Sequence, residues 1–248
     1  SVKNLPDVNI SAAGHLTIQA AGGAMPEGLQ AHYDAGVGVS LDGGGKVTAW
    51  ADQSGNGRDG TAPAAGKATV DVADLNGLDV VNFGDNAHGN NSYLNVAGDF
   101  EAEVVYTVFR NDATTWQNYG AVFGRRAGRN ANWLFDNGQA GRFHGNQLPE
   151  SVNRDGIELS ANQFDLSATG NPINEYMVLR VDYNENTPNT NTYYINRNDH
   201  SASDLMIAEI IVFDHTLTSD EENDVGGYLA SKYDIPTTFT GGLGTAFG

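Results

Sequence analysis

One apolar run near the C-terminus constrains this chain more than any other segment: Ile207-Ala208-Glu209-Ile210-Ile211-Val212-Phe213-Asp214. A short, near-continuous apolar run of this length reads as a strand covered on both faces. Ser219-Asp220-Glu221-Glu222 follows, then Val225-Gly226-Gly227-Tyr228-Leu229-Ala230-Ser231-Lys232-Tyr233. Ser219 and Glu222 have the spacing of a capping box, in which two side chains satisfy orphan amides of a first helical turn. Asp220 and Glu221 suit the positive end of the helix dipole. Val225, Tyr228, Leu229 and Lys232 share one helical face, and Pro236 stops the helix.

The rest of the chain is patterned as strands. Leu29–Asp34, Lys46–Trp50, Leu78–Phe83, Val104–Arg110, Glu175–Tyr183 and Thr190–Asn196 are alternating or continuously apolar. Ala121–Phe123, Trp133–Phe135 and Gly141–His144 read as shorter strands between Asn/Gly-rich turns. Gly, of which there are 31, crowds the intervening segments together with Asn and Asp. These are turn residues, because they tolerate positive φ or bond their own backbone. Many turns and one helix argue for an all-β, two-sheet antiparallel sandwich. Trp50 and the Val104–Arg110 strand are expected in its core, Ile207–Phe213 as a central strand, and the helix at the sandwich edge. Three parts are expected: an extended arm over residues 1–25, the sandwich over 26–236, and a Gly-rich tail over 237–248.

Charge narrows the functional classes. With 31 acidic and 13 basic residues the net charge is −18. A nucleic-acid binder needs a basic footprint, and an anionic membrane would repel this chain. No apolar run is long enough to span a bilayer, so no membrane insertion is expected. With no cysteine, disulfides, thiolate metal sites and thiol nucleophiles are excluded.

Gly28–Asp34, the Gly43-Gly44-Gly45 turn, Trp50-Ala51-Asp52-Gln53-Ser54-Gly55-Asn56-Gly57, Leu78–Phe83 and the Ile207–Tyr233 tail together resemble one family. It is the laminin-G-like, or concanavalin-A-like, jelly-roll domain of bacterial and phage surface proteins. The resemblance spans residues 26–235. It implies two antiparallel sheets of six or seven strands each. It also implies display outside the cell, at a cell surface or a virion surface, and activities ranging from sugar binding and adhesion to structural roles. Some relatives are glycoside hydrolases or polysaccharide lyases.

Catalytic patterns are sparse. A retaining glycosidase needs two carboxylates about 5 Å apart. The strand-like candidate is Glu101-Ala102-Glu103, which lacks the third acid of the glucanase relatives. Tyr119, Arg142, His144 and Gln147 carry the residue types of the lyases without their spacing. No histidine pair has zinc-ligand spacing. Asp52, Asn56 and Asp59 offer hard oxygen donors in one Gly-bearing loop, a composition suited to calcium. Sugar recognition needs an aromatic platform beside planar polar groups. Trp116, Asn118, Tyr119, Asp136, Asn137, Arg142 and His144 supply those types in one stretch. The sequence therefore points to a non-enzymatic recognition module for a glycan or cell-surface polysaccharide. A structural subunit of a filament, coat or virion, built of copies joined through residues 1–25 and 237–248, is the second expectation. A lyase or hydrolase is the third.

Overall fold

The computed structural model describes residues 7–10, 16–19, 24–63, 68–84, 92–111, 120–125, 141–143, 148–160, 164–169, 172–183, 192–197 and 202–242. Among these residues, sixteen strands and one α-helix follow in chain order. They are β1 (Asp7–Ile10), β2 (Leu16–Gln19), β3 (Leu29–Asp34), β4 (Val39–Leu41), β5 (Val47–Trp50), β6 (Gly60–Thr61), β7 (Thr69–Leu75), β8 (Leu78–Asn82), β9 (Leu94–Val96), β10 (Val104–Asn111), β11 (Phe123–Arg125), β12 (Ser151–Arg154), β13 (Ile157–Glu158), β14 (Met177–Asp182), β15 (Tyr193–Ile195), β16 (Leu205–Phe213) and α1 (Ser219–Tyr233).

Two antiparallel sheets make an all-β sandwich. The larger has eight strands in the order β13-β12-β14-β10-β16-β8-β7, with β3 also paired to β16. The smaller has six, in the order β11-β15-β9-β6-β5-β4. Between them lies a core built by alternation: Trp50, Leu94, Ile195 and Phe123 from the smaller sheet meet Phe109, Leu179, Ile207 and Ile210 from the larger. Among the described residues, strands β1 and β2 pair with each other alone, as a two-stranded sheet.

The apolar run becomes β16, whose nine residues are all buried. One face meets the inter-sheet core. The other meets a second core with Val104, Tyr106 and Val108 of β10 and Val225, Leu229 and Tyr233 of α1. The helix therefore covers the outer face of the central strands, not the sandwich edge expected from the sequence. A strand that is apolar on both faces needs a cover on its outer face, and α1 is that cover.

Glu209 interrupts this run, and a bulge sets its direction. Pairing of β16 with β10 slips between Val108↔Glu209 and Phe109↔Ile207, leaving Ala208 extra. Ile207 and Ile210 point into the inter-sheet core, while Ala208 joins the helix-side core. Strict alternation from Ile207 would send Glu209 inward as well. The extra residue turns its carboxylate outward, under α1.

The helix cap is one residue earlier than the sequence pattern implied. Thr218 is the N-cap, and it forms the capping box with Glu221. The Glu221 carboxylate accepts from the Thr218 backbone N–H at 2.9 Å. Glu222 is instead spent on an ion pair with Arg180 of β14. After the left-handed C-cap Asp234, the chain doubles back over the helix. Thr238 N–H donates to the Asp155 carbonyl at 2.9 Å, and Gly242 N–H to Asp224 Oδ1 at 3.1 Å. Residues 238–242 thus lie on α1. Gly227 permits this, because a Cβ there would sit 1.7 Å from the Gly241 carbonyl oxygen.

Candidate functional site

The outer face of the six-stranded sheet is the one large sheet face that no described helix or strand covers. Its geometry follows from register. Ser40 pairs with Ala49, Ala49 with Thr61, Thr61 with Asn95, Asn95 with Tyr194, and Tyr194 with Gly124. In each strand the neighbouring residues, such as Trp50, Leu94 and Ile195, point into the core. These six positions therefore form one row across all six strands. Five interstrand steps give it a length of about 24 Å.

None of the six strands contains Asp or Glu, in a chain that carries 31 acidic residues. At the β9–β15 end the row becomes aromatic. Tyr93 and Tyr194 meet edge to face, with ring centroids 5.2 Å apart and an interplanar angle of 83°. The Arg197 guanidinium lies over both rings, 4.4 Å from the Tyr93 centroid and 5.6 Å from that of Tyr194. All three side chains are partly exposed. The arrangement presents a flat aromatic edge, a planar five-donor cation and amide and hydroxyl groups from Asn95 and Thr61 on one surface.

Of the residues expected to bind a sugar, Trp116, Asn118, Tyr119, Asp136, Asn137 and His144 lie outside the described residues. Arg142 is described, and its Nε donates to Asp165 Oδ2 at 3.1 Å. Within the 116–146 stretch of sequence, β11 pairs with β15, with Gly124 opposite Tyr194. Tyr93, Asn95, Tyr194 and Arg197 were not singled out from the sequence. Alternation within Thr190–Asn196 was visible there, but which face each residue takes depends on pairing with β9, about a hundred residues earlier.

The Asp52–Asp59 loop is ordered by its own amides. Asp52 Oδ1 accepts from the N–H groups of His32 and Ser54, both at 2.9 Å. Its Oδ2 accepts from Ser54 Oγ at 2.7 Å and Arg58 N–H at 3.1 Å. Asp59 Oδ1 accepts from Asp52 N–H, and the Asn56 side-chain amide donates to the carbonyls of Leu29 and Gln30. Burial pushes the Asp52 carboxyl up, but these donors outweigh it and hold it below the usual range. A carboxylate has about four acceptor sites, and here four donors fill them. Among the described residues no group of three or more His, Asp or Glu is arranged around a common metal position. A cation would have to displace N–H groups that already point at Asp52. Melting curves in millimolar calcium and in chelator are therefore expected to coincide. A rise in melting temperature with calcium would reassign the loop to metal binding.

A second polar cluster lies under α1. Glu209, with a fully buried side chain, accepts from Lys232 Nζ at 2.7 Å, Tyr233 Oη at 2.7 Å and Tyr228 Oη at 3.1 Å. Lys232 and Tyr233 share Oε2, while His32 Nε2 lies 2.7 Å from Oε1, the oxygen that accepts from Tyr228. Lys232 also reaches Asp34 Oδ2 at 2.5 Å, and Asp34 is the cross-strand partner of Glu209. Burial alone would raise the Glu209 carboxyl, but the His32 contact and the Lys232 charge hold it below the usual range. Two carboxylates side by side suggest acid–base chemistry, yet Lys232 occupies the space between them. What the cluster does in this structure is fasten the helix to β3 and β16.

No family model matches the chain, and no curated protein matches it. Among solved structures, a Trypanosoma rangeli sialidase in complex with sialic acid overlays with a TM-score of 0.46 at 12% identity. The overlay covers 93% of this chain and 36% of that one. A likeness at that level bears on neither family nor activity. No helix of the described residues is long and apolar enough to cross a membrane.

Proposed function

We propose that this chain is a non-enzymatic recognition module, displayed outside the cell, that binds a linear polysaccharide along the outer face of its six-stranded sheet. The observation that supports this reading is the acid-free row from Ser40 to Gly124 with Tyr93, Tyr194 and Arg197 at one end. A pyranose has an apolar C–H face and a ring of hydroxyls. It is held by an aromatic surface beside planar donors and acceptors, which is what this end of the row offers. The row is longer than a single sugar ring, which favours a polymer over a lone monosaccharide. Trp116, Asn118 and Tyr119 belong to the same reading as sequence neighbours of β11, which itself pairs with β15 at Gly124↔Tyr194.

The test is titration of the intact chain against a panel of soluble neutral and acidic polysaccharides by calorimetry. Tyr194→Ala should weaken binding about tenfold, in line with the loss of one stacking surface and its burial. Thr238→Ala, on the opposite side of the sandwich, should leave it unchanged. Absence of binding to every polysaccharide tried would sink the reading.

A second reading, a structural subunit of a filament, coat or virion, is favoured by one observation. The β1–β2 hairpin is a sheet of its own, and an isolated two-stranded ribbon is marginally stable unless something covers or extends it. A second copy could do so by strand addition. Deleting residues 1–22 should then abolish polymers seen by light scattering while leaving polysaccharide binding intact.

A further inference from the structure

We infer that Asn196 is the positioning residue of the polysaccharide site: it sets the spacing between Tyr93 and Arg197 without touching the ligand. The inference rests on the recognition reading above. Pairing between β15 and β9 ends at Ile195↔Leu94, one residue short of Tyr93 and Asn196. Among the described residues, no strand ladder ties the two segments together beyond that point. The side chain of Asn196 takes over. Its Nδ2 donates to the Ser92 carbonyl at 2.8 Å and to the Ser203 carbonyl at 2.6 Å. Its backbone N–H donates to the Val122 carbonyl at 2.7 Å, and its carbonyl accepts from Ser203 N–H at 3.0 Å.

Three chain segments therefore converge on one fully buried residue, two of them through its side chain. Ser92 immediately precedes Tyr93. Arg197 immediately follows Asn196, and Tyr194 is two residues before it. Val122 leads into β11 and Gly124, the end of the row. Ala202, next to Ser203, bridges to Arg197. Asn196 has φ +64°, a left-handed conformation that Asn adopts more readily than most side chains. Residue type, backbone angle and both amide protons are all committed to holding these segments in register. A guanidinium stacked 4.4 Å from one ring and 5.6 Å from another keeps that geometry only if its backbone is fixed relative to both rings.

Asn196→Gly keeps the left-handed backbone and removes both ties. Asn196→Asp keeps the shape but sets a carboxylate oxygen against two carbonyls. Two measurements are made on these variants, on Arg197→Gln, and on the double variant Asn196→Gly/Arg197→Gln, at a temperature where all are folded. The first is affinity for the best polysaccharide of the panel. The second, free of ligand, is the ring NMR resonances of Tyr93 and Tyr194. Asn196→Gly is expected to weaken binding about tenfold, and to add less than about twofold in the Arg197→Gln background, because both act through the same stacked group. The two tyrosine resonances should shift, while a helix-core variant of similar stability loss, Val225→Ala, moves neither them nor the affinity. Wild-type affinity in Asn196→Gly, or a full tenfold loss in both backgrounds, would overturn the inference. Should the wild type bind no polysaccharide while the tyrosine signals still shift, the recognition reading falls and the positioning role stands.

Discussion

Ile210→Asp should abolish cooperative folding. Ile210 lies on the central strand β16, is fully buried, and points into the inter-sheet core beside Tyr33 of β3 and Thr107 of β10, its cross-strand partners. The cations that serve the neighbouring Glu209, Lys232 and His32, lie on the helix side and not on the face Ile210 occupies. An unpaired buried ion costs several kcal/mol after relaxation. Removing the apolar side chain adds about 2–5 kcal/mol. Together these rival the roughly 5–15 kcal/mol that holds a typical domain together. Two controls make the result specific. Ile210→Val should cost about 0.5–1.5 kcal/mol in urea denaturation. Leu41→Asp, at a position 50% exposed on the edge strand β4, should stay within about 0.5 kcal/mol of wild type. A cooperative melt for Ile210→Asp within a few degrees of wild type would contradict the central placement of β16.

The features legible in the sequence share one property: they do not depend on which strand pairs with which. The apolar run of β16 demands two covered faces whatever its neighbours are, and Trp50 ends an alternating strand in any sandwich. The features that stayed hidden depend on partners. Glu209 sits in an apolar run with no local sign of its direction; the bulge against β10 decides it. Thr218 and Ser219 are both good N-caps, and Glu221 and Glu222 both sit three residues on from one of them. The choice is settled by Arg180 on β14, which claims Glu222. The candidate site is hidden for the same reason. Tyr93 and Tyr194 lie far apart in the chain and meet only because β9 pairs with β15. The Asp52 loop shows the converse. Its composition reads as a cation site, but an Asx-rich loop bonds its own amides first. Only the hydrogen-bond partners reveal that the carboxylate is already filled.

Lys232→Met should expose what the cluster under α1 contributes. In the wild type Lys232 bridges two carboxylates that face each other across β3 and β16, Asp34 and Glu209. Removing one partner of a buried pair costs about 3–5 kcal/mol, because the remaining charges stay desolvated. For a chain of this size that corresponds to a melting temperature lower by roughly 6–20 °C at pH 7. The pH dependence tells this loss from ordinary packing damage. Glu209 is held below its ordinary value of 4.5 in the wild type, so its contribution is present above that value and fades only as pH falls through the depressed folded one. Without the lysine, burial and the facing carboxylate leave Glu209 harder to ionise. The penalty of its buried charge is then present at neutral pH and relieved on acidification. The stability gap between wild type and variant should therefore narrow from pH 7 to pH 4. His32, Tyr228 and Tyr233 also face Glu209 and are unchanged in both proteins, so they do not reverse this sign. Adding Glu209→Leu to Lys232→Met should recover much of the loss at pH 7, since a buried ion pair replaced by apolar groups is often near neutral. A gap that is independent of pH, or a double variant no better than the single, would mean that Lys232 acts through packing against Tyr228 and Tyr233 and not through its charge.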